Sequence, residues 1–549
     1  MDFKPIPLSE WIDRSAERFP DSSALIWLNA KLNYRQLKDE VDRLATALTD
    51  LGVTKGTRVA IQMPNVPQLV ISYFAVMRLG GVVVMTNPIY MPYEIEHQWN
   101  DAGVEVALVM DFIYEQKLVD VLPKLPVKHF ILASFPEYLR FPMRQLAPFK
   151  LRRRDPPAIA DVQPSENVHM FRDLVRATQP SPPEVTVDID DLAVLQYTGG
   201  TTGVSKGAML THSNLSCNAQ QLVSWYSNVE PAVEVMLAVL PLFHVFGLTG
   251  AMHWAVFTAS SLVLQTDPRA IDMLVRNISR HKVTLFPGVP AMFNAINNHP
   301  GVQKMDLSSV KCCFSGSAPL PADVLERFEE LTGAKITEGF GLSETSPVTH
   351  ANPLEGERRV GTVGLPVPST DVRIVDTEDG ETDVPQGEEG ELIIKGPQVM
   401  QGYWNKPEET AKVLRDGWLY TGDLAAIDEQ GYFKIVGRTK DMINCSGFKV
   451  YPDEVDHVLM SHPAVLETAT IGVPHPTRGE TVKSFIVLTD GESLSEDEVQ
   501  AYCREHLASY KVPRAVEFLD ELPKSAVLKI LRRELRQREV TKAQSQESA

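Results

Sequence analysis

Cysteine is scarce in this sequence of 549 residues, and none of its five cysteines belongs to a Cys-x-x-Cys pair. An odd number without that spacing argues against a disulfide framework and against a zinc ribbon. Positive charge is also in deficit, since 53 Lys and Arg residues stand against 71 Asp and Glu residues, a formal net charge of −18. A surface of that sign repels phosphate backbones, so we expect no nucleic-acid partner. Anionic small molecules must then be bound by local groups.

Targeting and membrane-spanning signals are also lacking. The first residues, MDFKPIPLSE, do not show the basic and then apolar pattern of a signal peptide, which favours a cytoplasmic protein. One stretch, from Val235 to Thr266, contains no Asp, Glu, Lys or Arg and is long enough to cross a bilayer. Because Pro241, His244 and Gly247 interrupt it, we predict a strand, a loop, a buried helix and a second strand there instead of a membrane span.

Helical and strand patterns alternate over the first quarter of the chain. Apolar residues recur at helical spacing up to Leu51, and Gly52 follows as a stop signal. Short strands that are apolar throughout follow at Arg58 and Gly81, which indicates a mostly parallel sheet covered on both faces. A proline-rich segment at about 135–187 interrupts the pattern as an insertion or loop. Beyond about Gly437 the elements become smaller, as expected of a separate α+β domain.

The run YTGGTTGVSKGAMLTH, from Tyr197 to His212, predicts a phosphate-binding loop. Glycines let backbone N–H groups approach phosphate oxygens, hydroxyls add donors, and Lys206 adds a positive charge. A Walker P-loop is excluded, because Ser205 stands where glycine is required and Gly207 where Ser or Thr binds Mg²⁺. The predicted contacts are Thr198, Gly199, Gly200, Thr201, Thr202, Gly203 and Lys206.

This run resembles the phosphate-binding loop of the adenylate-forming superfamily, which includes acyl-CoA synthetases, luciferases and the adenylation domains of peptide synthetases. The resemblance continues along nearly the whole chain. The run TEGFGLSE, ending at Glu344, resembles the second nucleotide motif, and SGSAP resembles the loop beside adenine. The resemblance implies that Phe340 stacks on adenine, Ser343 contacts the α-phosphate and Glu344 holds Mg²⁺. The contacts it implies in these two motifs are Gly316, Ser317, Ala318, Glu338, Gly339, Phe340, Gly341 and Ser343.

Three further motifs resemble those of the same superfamily. Asp423, in the run YTGD, matches the aspartate that accepts hydrogen bonds from the ribose hydroxyls, and one carboxylate can serve both. Arg438 matches its partner at the ribose or phosphate, and Lys440 matches the hinge. Lys529 matches the adenylation lysine, so the implied catalytic residues are Lys529, Glu344, Lys206 and Thr198.

The resemblance thus implies an α/β fold in which residues 1–437 form a large domain of parallel-sheet subdomains. Residues 438–549 form a small mobile domain that moves about Lys440. The sequence departs from the pattern beside Lys529, where Leu528 replaces the usual glycine and Val527 the usual hydroxyl residue. A glycine there can adopt a positive φ that leucine resists, so we expect the closed adenylation state to differ in geometry or speed.

The run LPLFHVFGLTG indicates the nature of the acid. His244 stands where relatives that activate amino acids carry an aspartate, so an ammonium group has no charged partner there. Gly247 and Gly250 are expected to leave volume for an alkyl chain, of which each buried methylene contributes roughly 0.8 kcal/mol. A packed core histidine is the alternative for His244. The predicted acyl and coenzyme A pocket comprises His244, Phe246, Gly247, Gly250 and, beside the pantetheine arm, Gly447.

Several longer runs most resemble the sequences of bacterial long-chain fatty-acid–CoA ligases. The implied function is ATP-dependent activation of a medium- or long-chain fatty acid to an acyl-adenylate, followed by transfer to coenzyme A with release of AMP. ATP, Mg²⁺ and coenzyme A are the implied cofactors, with a monomer or homodimer as the assembly. An aryl-acid ligase of the coumarate type and a non-catalytic acyl-nucleotide-binding protein are the alternatives. Free coenzyme A is the expected acceptor, because no carrier-protein module follows Lys529.

The segment from Phe135 to Arg154 is basic and rich in Phe, Tyr and Leu within an acidic protein. A solvated basic loop is one interpretation. The other is a peripheral patch that contacts an anionic membrane surface.

Overall fold

The computed structural model describes residues 3–198, 205–226, 228–445, 448–475, 479–525 and 528–547. These residues build four β-sheets with helices packed between and around them. The α-helices are Ser9–Arg18, Tyr34–Asp50, Pro67–Arg78, Pro92–Ala102, Asp111–Ile113, Met143–Leu151, Phe171–Ala177, His212–Trp225, Val245–Gly247, Trp254–Phe257, Ile271–His281, Pro290–Asn297, Ala322–Thr332, Pro407–Val413, Pro452–Met460, Glu496–His506 and Arg532–Glu547.

Two large sheets form the body of the molecule, and both are parallel in their interior. The first has nine strands in the order Leu365–Pro366, Val348–Ala351, Lys335–Gly341, Cys312–Ser315, Leu285–Gly288, Val235–Ala238, Ser261–Leu264, Ser23–Trp27 and Ala30–Asn33. The second has seven, in the order Val168–Met170, His129–Ala133, Val106–Met110, Arg58–Gln62, Val82–Met85, Leu192–Thr198 and Lys206–Thr211. Antiparallel pairs occur only toward their ends among the described strands. The predicted α/β fold with parallel sheets is confirmed.

Local sequence explains the elements of the first quarter. The helix Tyr34–Asp50 begins at Asn33, whose side chain accepts the N–H of Gln36 at 2.8 Å in a capping box. It ends before Gly52, which has a φ of +83° as the stop signal predicts. The following helix, Pro67–Arg78, begins with proline at its first position, and all of its residues but the last are buried.

The charge-free stretch from Val235 to Thr266 forms the strands and helical turns that the sequence predicts. It forms the strand Val235–Ala238, short helical turns from Val245 to Phe257, and the strand Ser261–Leu264. Among the described residues, no helix is both long enough and apolar enough to cross a membrane.

The prediction of an insertion or loop at 135–187 is partly wrong. The segment contains the helix Met143–Leu151, the strand Val168–Met170 and the helix Phe171–Ala177. That strand pairs in parallel with His129–Ala133 and forms the edge of the second sheet. With three residues it is too short to show a periodic pattern, so its pairing is a tertiary effect.

Two smaller sheets follow. The third sheet is antiparallel and contains Asp371–Val375, Gly390–Lys395, Leu414–Arg415, Trp418–Ile427 and Phe433–Arg438. The fourth contains Ile443–Cys445, Phe448–Val450, Val465–His475, Gly479–Leu488 and Ala515–Phe518. Between them lies a tight turn in which the carbonyl of Arg438 accepts the N–H groups of Asp441 and Met442, at 3.0 and 3.1 Å. Lys440 is therefore in the turn that links the third sheet to the fourth.

Candidate functional site

A β-hairpin carries the two ends of the predicted phosphate-binding loop. Thr198 ends one strand and is paired directly with Lys206, which begins the next strand of the second sheet. The hairpin therefore brings the hydroxyl and the ammonium group of these two residues to the same end of the sheet. The predicted contacts Gly199, Gly200, Thr201, Thr202 and Gly203, and Gly447 of the predicted pantetheine site, lie outside the described residues.

Tyr403 connects Lys206 with Glu344. Its hydroxyl donates a hydrogen bond to Glu344 Oε1 at 2.8 Å, and the ammonium of Lys206 lies 5.1 Å from the centre of its ring. Lys206 also forms an ion pair with Glu409, and the hydrogen bond from Lys206 lowers the pKa of Glu409 to about 2. Sequence reasoning missed Tyr403 and Glu409, because single residues outside the recognised motifs have no local signal. Together they position the predicted phosphate-binding lysine and the predicted metal-binding carboxylate.

The second nucleotide motif ends a parallel strand of the first sheet. Phe340 and Gly341 are the last residues of the strand Lys335–Gly341, and Ser343 and Glu344 follow in a short 3₁₀ turn. A Cβ atom on Gly341 would lie 2.2 Å from the carbonyl oxygen of Pro347, so the backbone path requires glycine here. Phe340, Ser343 and Glu344 are all half-buried, which leaves each accessible to a ligand.

The predicted adenine loop follows the neighbouring strand Cys312–Ser315, so both loops lie at the same edge of the sheet. Ligands of open parallel sheets bind at such carboxyl-terminal edges. Ser317 has a φ of +71° and is exposed together with Ala318, whereas Gly316 is buried. Glu338 is buried beneath the loop, where its Oε1 accepts the N–H of Leu320 at 3.2 Å and burial raises its pKa to about 7. Its side chain therefore supports the loop, while the backbone of Gly339 continues the strand.

Asp423 is a buried carboxylate with one oxygen free for a ligand. It is only 3% exposed, and Nε of Arg438 donates to its Oδ1 at 2.7 Å. Its other oxygen, Oδ2, has no hydrogen-bond partner among the described residues. Burial raises the pKa of Asp423, and the positive charges of Arg438 and Lys529 oppose that rise. An uncompensated buried acceptor is costly, so this site fits a ligand that donates hydroxyl hydrogens, as a ribose does.

The structure brings Lys529 of the small domain to this site. The side chain of Lys529 is partly open to solvent. Its pKa is lowered, because nearby protein atoms remove part of its hydration and because Arg438 is also positively charged. Its ammonium interacts electrostatically with Asp423 and also with His244 of the large domain. Lys440 also lies in this field, near Arg438 and Glu344. The cationic and anionic groups that the resemblance implied therefore converge from two domains on one cleft.

Leu528 adopts the conformation that glycine usually supplies. Its φ is +60°, and its N–H donates to the carbonyl of Ser525 at 2.9 Å in the turn that presents Lys529. Left-handed φ costs a residue with a side chain about 1–2 kcal/mol. The leucine side chain packs against a buried cluster of the large domain to which Leu320 and Ile336 belong. That contact offsets the strain when Lys529 is in the site.

We expect Leu528→Gly to slow acyl-adenylate formation by about threefold to tenfold, because the lost apolar contact outweighs the relieved strain. Single-turnover pyrophosphate release measures this rate. Leu528→Ala is the matched control, since it keeps the left-handed strain, removes most of the contact, and should be slower still. A glycine variant as fast as the parent would contradict a docking role for Leu528.

The predicted acyl pocket is more tightly filled than its glycines suggested. A Cβ atom on Gly247 would lie 2.4 Å from the carbonyl oxygen of Pro241, and one on Gly250 would lie 3.2 Å from the ring of Phe246. The expectation that these glycines leave open volume is therefore wrong for this arrangement. The ring of Phe246 also lies against Gly316 of the adenine loop. Phe246 thus contacts both predicted subsites.

His244 caps the short helix Val245–Gly247, its Nδ1 accepting the N–H of Phe246 at 3.3 Å. Burial and the nearby charge of Lys529 lower its pKa to about 4, so the imidazole is neutral at neutral pH. A neutral group beside the Lys529 ammonium leaves a net positive environment, which suits a carboxylate and not an ammonium.

The donor set at Glu344 fits Mg²⁺ held largely by phosphate oxygens. Among the described residues no cluster of three or more His, Cys, Asp or Glu side chains could hold a metal by itself. Mg²⁺ bound with nucleotides characteristically takes one or two carboxylates together with phosphate oxygens and water. Glu344 is half-buried, and Tyr403 fixes one of its oxygens while no hydrogen bond from a described residue occupies the other.

Comparison with known proteins agrees with this geometry. The model of the AMP-binding enzyme family matches residues 12–404, and that of the AMP-binding enzyme C-terminal domain matches residues 454–529. Long-chain-fatty-acid–CoA ligases from Bacillus subtilis (strain 168) and Escherichia coli O6:H1 are 44% and 41% identical to the chain. The match to the Bacillus subtilis ligase covers 97% of this chain and 95% of the ligase. The match to the Escherichia coli ligase covers 96% of this chain and 94% of the ligase.

A solved structure shares the whole architecture. The crystal structure of the anthranilate CoA ligase AuaEII in complex with anthranoyl-AMP superposes with a TM-score of 0.87 at 28% identity, covering 98% of each chain. Sequence, fold and converging site residues lead to one conclusion: the chain belongs to the family of AMP-binding, adenylate-forming enzymes.

Proposed function

We propose that the protein is an ATP-dependent long-chain fatty-acid–CoA ligase that releases AMP and pyrophosphate. The observation that carries the proposal is the convergence of Lys529, Arg438 and the half-satisfied Asp423 carboxylate in one cleft. The long-chain-fatty-acid–CoA ligases that are 44% and 41% identical over nearly their whole lengths support the choice of acid. The aryl-acid alternative has weaker support, because a feruloyl-CoA synthase from Amycolatopsis sp. is 35% identical over 97% of the chain.

In the first half-reaction a fatty-acid carboxylate oxygen attacks the α-phosphorus of ATP, and the bond to the departing pyrophosphate breaks. Such transfers need positioning and charge neutralisation more than a side-chain nucleophile. We assign neutralisation to Lys529 at the reacting groups and to Lys206 with Thr198 at the phosphates. Lys206 must leave Glu409 to do this, whereas Asp423 offers its free oxygen to the ribose. Mg²⁺, when bound at Glu344, would neutralise phosphate charge.

In the second half-reaction the thiolate of coenzyme A attacks the acyl carbonyl carbon, and AMP leaves with the electrons of the broken mixed-anhydride bond. Lys529 has no task in this step and occupies the cleft, so the small domain must move. We propose residues 1–437 and 438–549 as the two moving units. The turn at Lys440 supports this hinge, because it links the third sheet to the fourth. Gly447 is proposed beside the pantetheine arm.

The choice of a fatty acid as substrate is supported by the similarity to long-chain-fatty-acid–CoA ligases. We expect kcat/KM for saturated acids to rise about fourfold per added methylene, from octanoate until the pocket is full. Pyrophosphate release with ATP and graded acids measures this, with ferulate and anthranilate as aryl comparisons. An aryl acid that outperforms every alkanoate would contradict the fatty-acid assignment, and no pyrophosphate with any acid would favour a nucleotide-binding protein without catalysis.

The proposal also includes the setting in which the enzyme works. We propose a monomer or homodimer in the cytoplasm that makes peripheral contact with a membrane, because its acid substrate partitions into lipid. The helix Met143–Leu151, within the basic and aromatic segment, supports that contact.

A further inference from the structure

The helix Met143–Leu151 and the residue Phe141 just before it expose large apolar side chains to solvent. None of the residues of the helix is buried. Phe141 just before it is 78% exposed, and Phe149 and Leu146 on it are 69% and 58% exposed. Large apolar side chains grouped in this way on an otherwise charged surface mark an interaction site.

The base of this helix is fixed to the body of the protein. The side-chain amide of Asn29 donates to the carbonyl of Arg140 at 3.2 Å, and its Oδ1 accepts the N–H of Arg140 at 3.1 Å. Just upstream, the ring of Phe135 stacks on Trp27, with ring centres 6.3 Å apart. The β-hairpin formed by the strands Ser23–Trp27 and Ala30–Asn33 therefore fixes the start of the exposed helix.

A groove of about 530 Å³ runs beside this helix and combines apolar walls with two arginines. Arg276 and Arg280 lie one turn apart on the helix Ile271–His281. Neither guanidinium forms a hydrogen bond with the residues that the structure describes, although Arg276 interacts electrostatically with Asp272 on the same helix. The apolar walls are Leu28, Met143, Met273 and Met305.

Charge distinguishes this surface from the rest of the protein. The chain carries a formal charge of −18, yet Arg144, Lys150, Arg153 and Arg154 lie in the same segment as the exposed rings and form no ion pairs among the described residues, whereas Arg152 pairs with Asp161. At an ionic strength near 0.1 M the Debye length is about 10 Å, so distant carboxylates do not cancel this local field. The surface is thus cationic and apolar at once, which is the chemistry of the headgroup boundary of an anionic bilayer.

We propose that Phe141, Phe149 and the groove with Arg276 and Arg280 form a docking surface for anionic phospholipid membranes. The rings enter the headgroup boundary, and the two arginines bind lipid phosphates at the groove. Capture of fatty acid from that membrane rests on the proposed ligase function, but docking itself does not.

The full chain should be sedimented with vesicles of phosphatidylcholine alone and with vesicles containing phosphatidylglycerol. We expect binding to the anionic vesicles only, with loss at high salt. Arg276→Ser with Arg280→Ser should weaken the partition coefficient about thirtyfold, and Phe141→Ser with Phe149→Ser at least about tenfold. Ile89→Ser with Tyr93→Ser is the matched control, because these apolar residues are 62% and 80% exposed but lie beside the acidic Glu94.

A parent that fails to sediment, that binds both vesicle types equally, or that is unaffected by the paired substitutions would overturn the proposal. So would a concentration-dependent self-association that the same substitutions abolish without any vesicle binding, because the occupant would then be a second copy of the chain. Acyl-CoA formation from octanoate in solution should be unchanged in all variants. Vesicle binding without that activity would leave the docking surface standing and remove the ligase proposal.

Discussion

Lys529→Ala is expected to lower the rate of acyl-adenylate formation at least about a hundredfold, the loss typical of a single group that stabilises transition-state charge. Lys529 is the cation that the small domain delivers beside Asp423 and His244. Single-turnover pyrophosphate release from ATP and fatty acid measures the loss. With supplied acyl-adenylate and coenzyme A, thioester formation should stay within about threefold of the parent, because the lysine acts only on the first transition state.

Lys440→Pro should produce the opposite pattern. The N–H of Lys440 makes no hydrogen bond to a described residue, so proline removes none, but it restricts φ in the turn between the two domains. We expect near-parent acyl-adenylate formation and at least about tenfold slower thioester formation, because rotation is hindered. Lys440→Ala is the control that removes the charge and keeps the backbone freedom. If Lys529→Ala and Lys440→Pro slowed both half-reactions equally, domain alternation about Lys440 would have to be abandoned.

Glu344→Gln is expected to keep the fold and lower adenylation about a hundredfold, with a higher Mg²⁺ concentration needed for half-maximal rate. The amide retains the size of the carboxylate and its hydrogen bond with Tyr403 but removes the charge that a hard cation requires. Pyrophosphate release over a Mg²⁺ titration gives both quantities, and thermal unfolding checks the fold.

Tyr403→Phe tests the same site with a smaller change than Glu344→Gln. It keeps the ring beside Lys206 and removes only the hydroxyl that donates to Glu344 Oε1. One hydrogen bond to a charged group contributes about 1.5–3 kcal/mol, so we expect a loss of at least about tenfold together with a raised Mg²⁺ demand. Parent-like rates and Mg²⁺ dependence in Glu344→Gln would remove the metal assignment.

Local patterns predicted the elements that contacts within a few residues specify. The stop at Gly52 and the wholly apolar strands are such short-range features, and each formed as predicted. The motif around Asp423 also led to a carboxylate whose buried, half-satisfied state only coordinates could reveal. The sequence has Leu528 where glycine is usual, and in the structure this leucine adopts a positive φ.

The sequence by itself determined the family, the α/β fold class and the identity of the charged groups, since these depend on residue type and order along the chain. Only the tertiary structure decided which groups meet. Lys206 and Glu409 are 203 residues apart, and the ring of Phe246 lies against Gly316 of the adenine loop. The arginines beside Met143 likewise come from a distant helix. Such contacts arise from how separate elements pack, and the periodicity of side chains within an element does not predict which other elements it contacts.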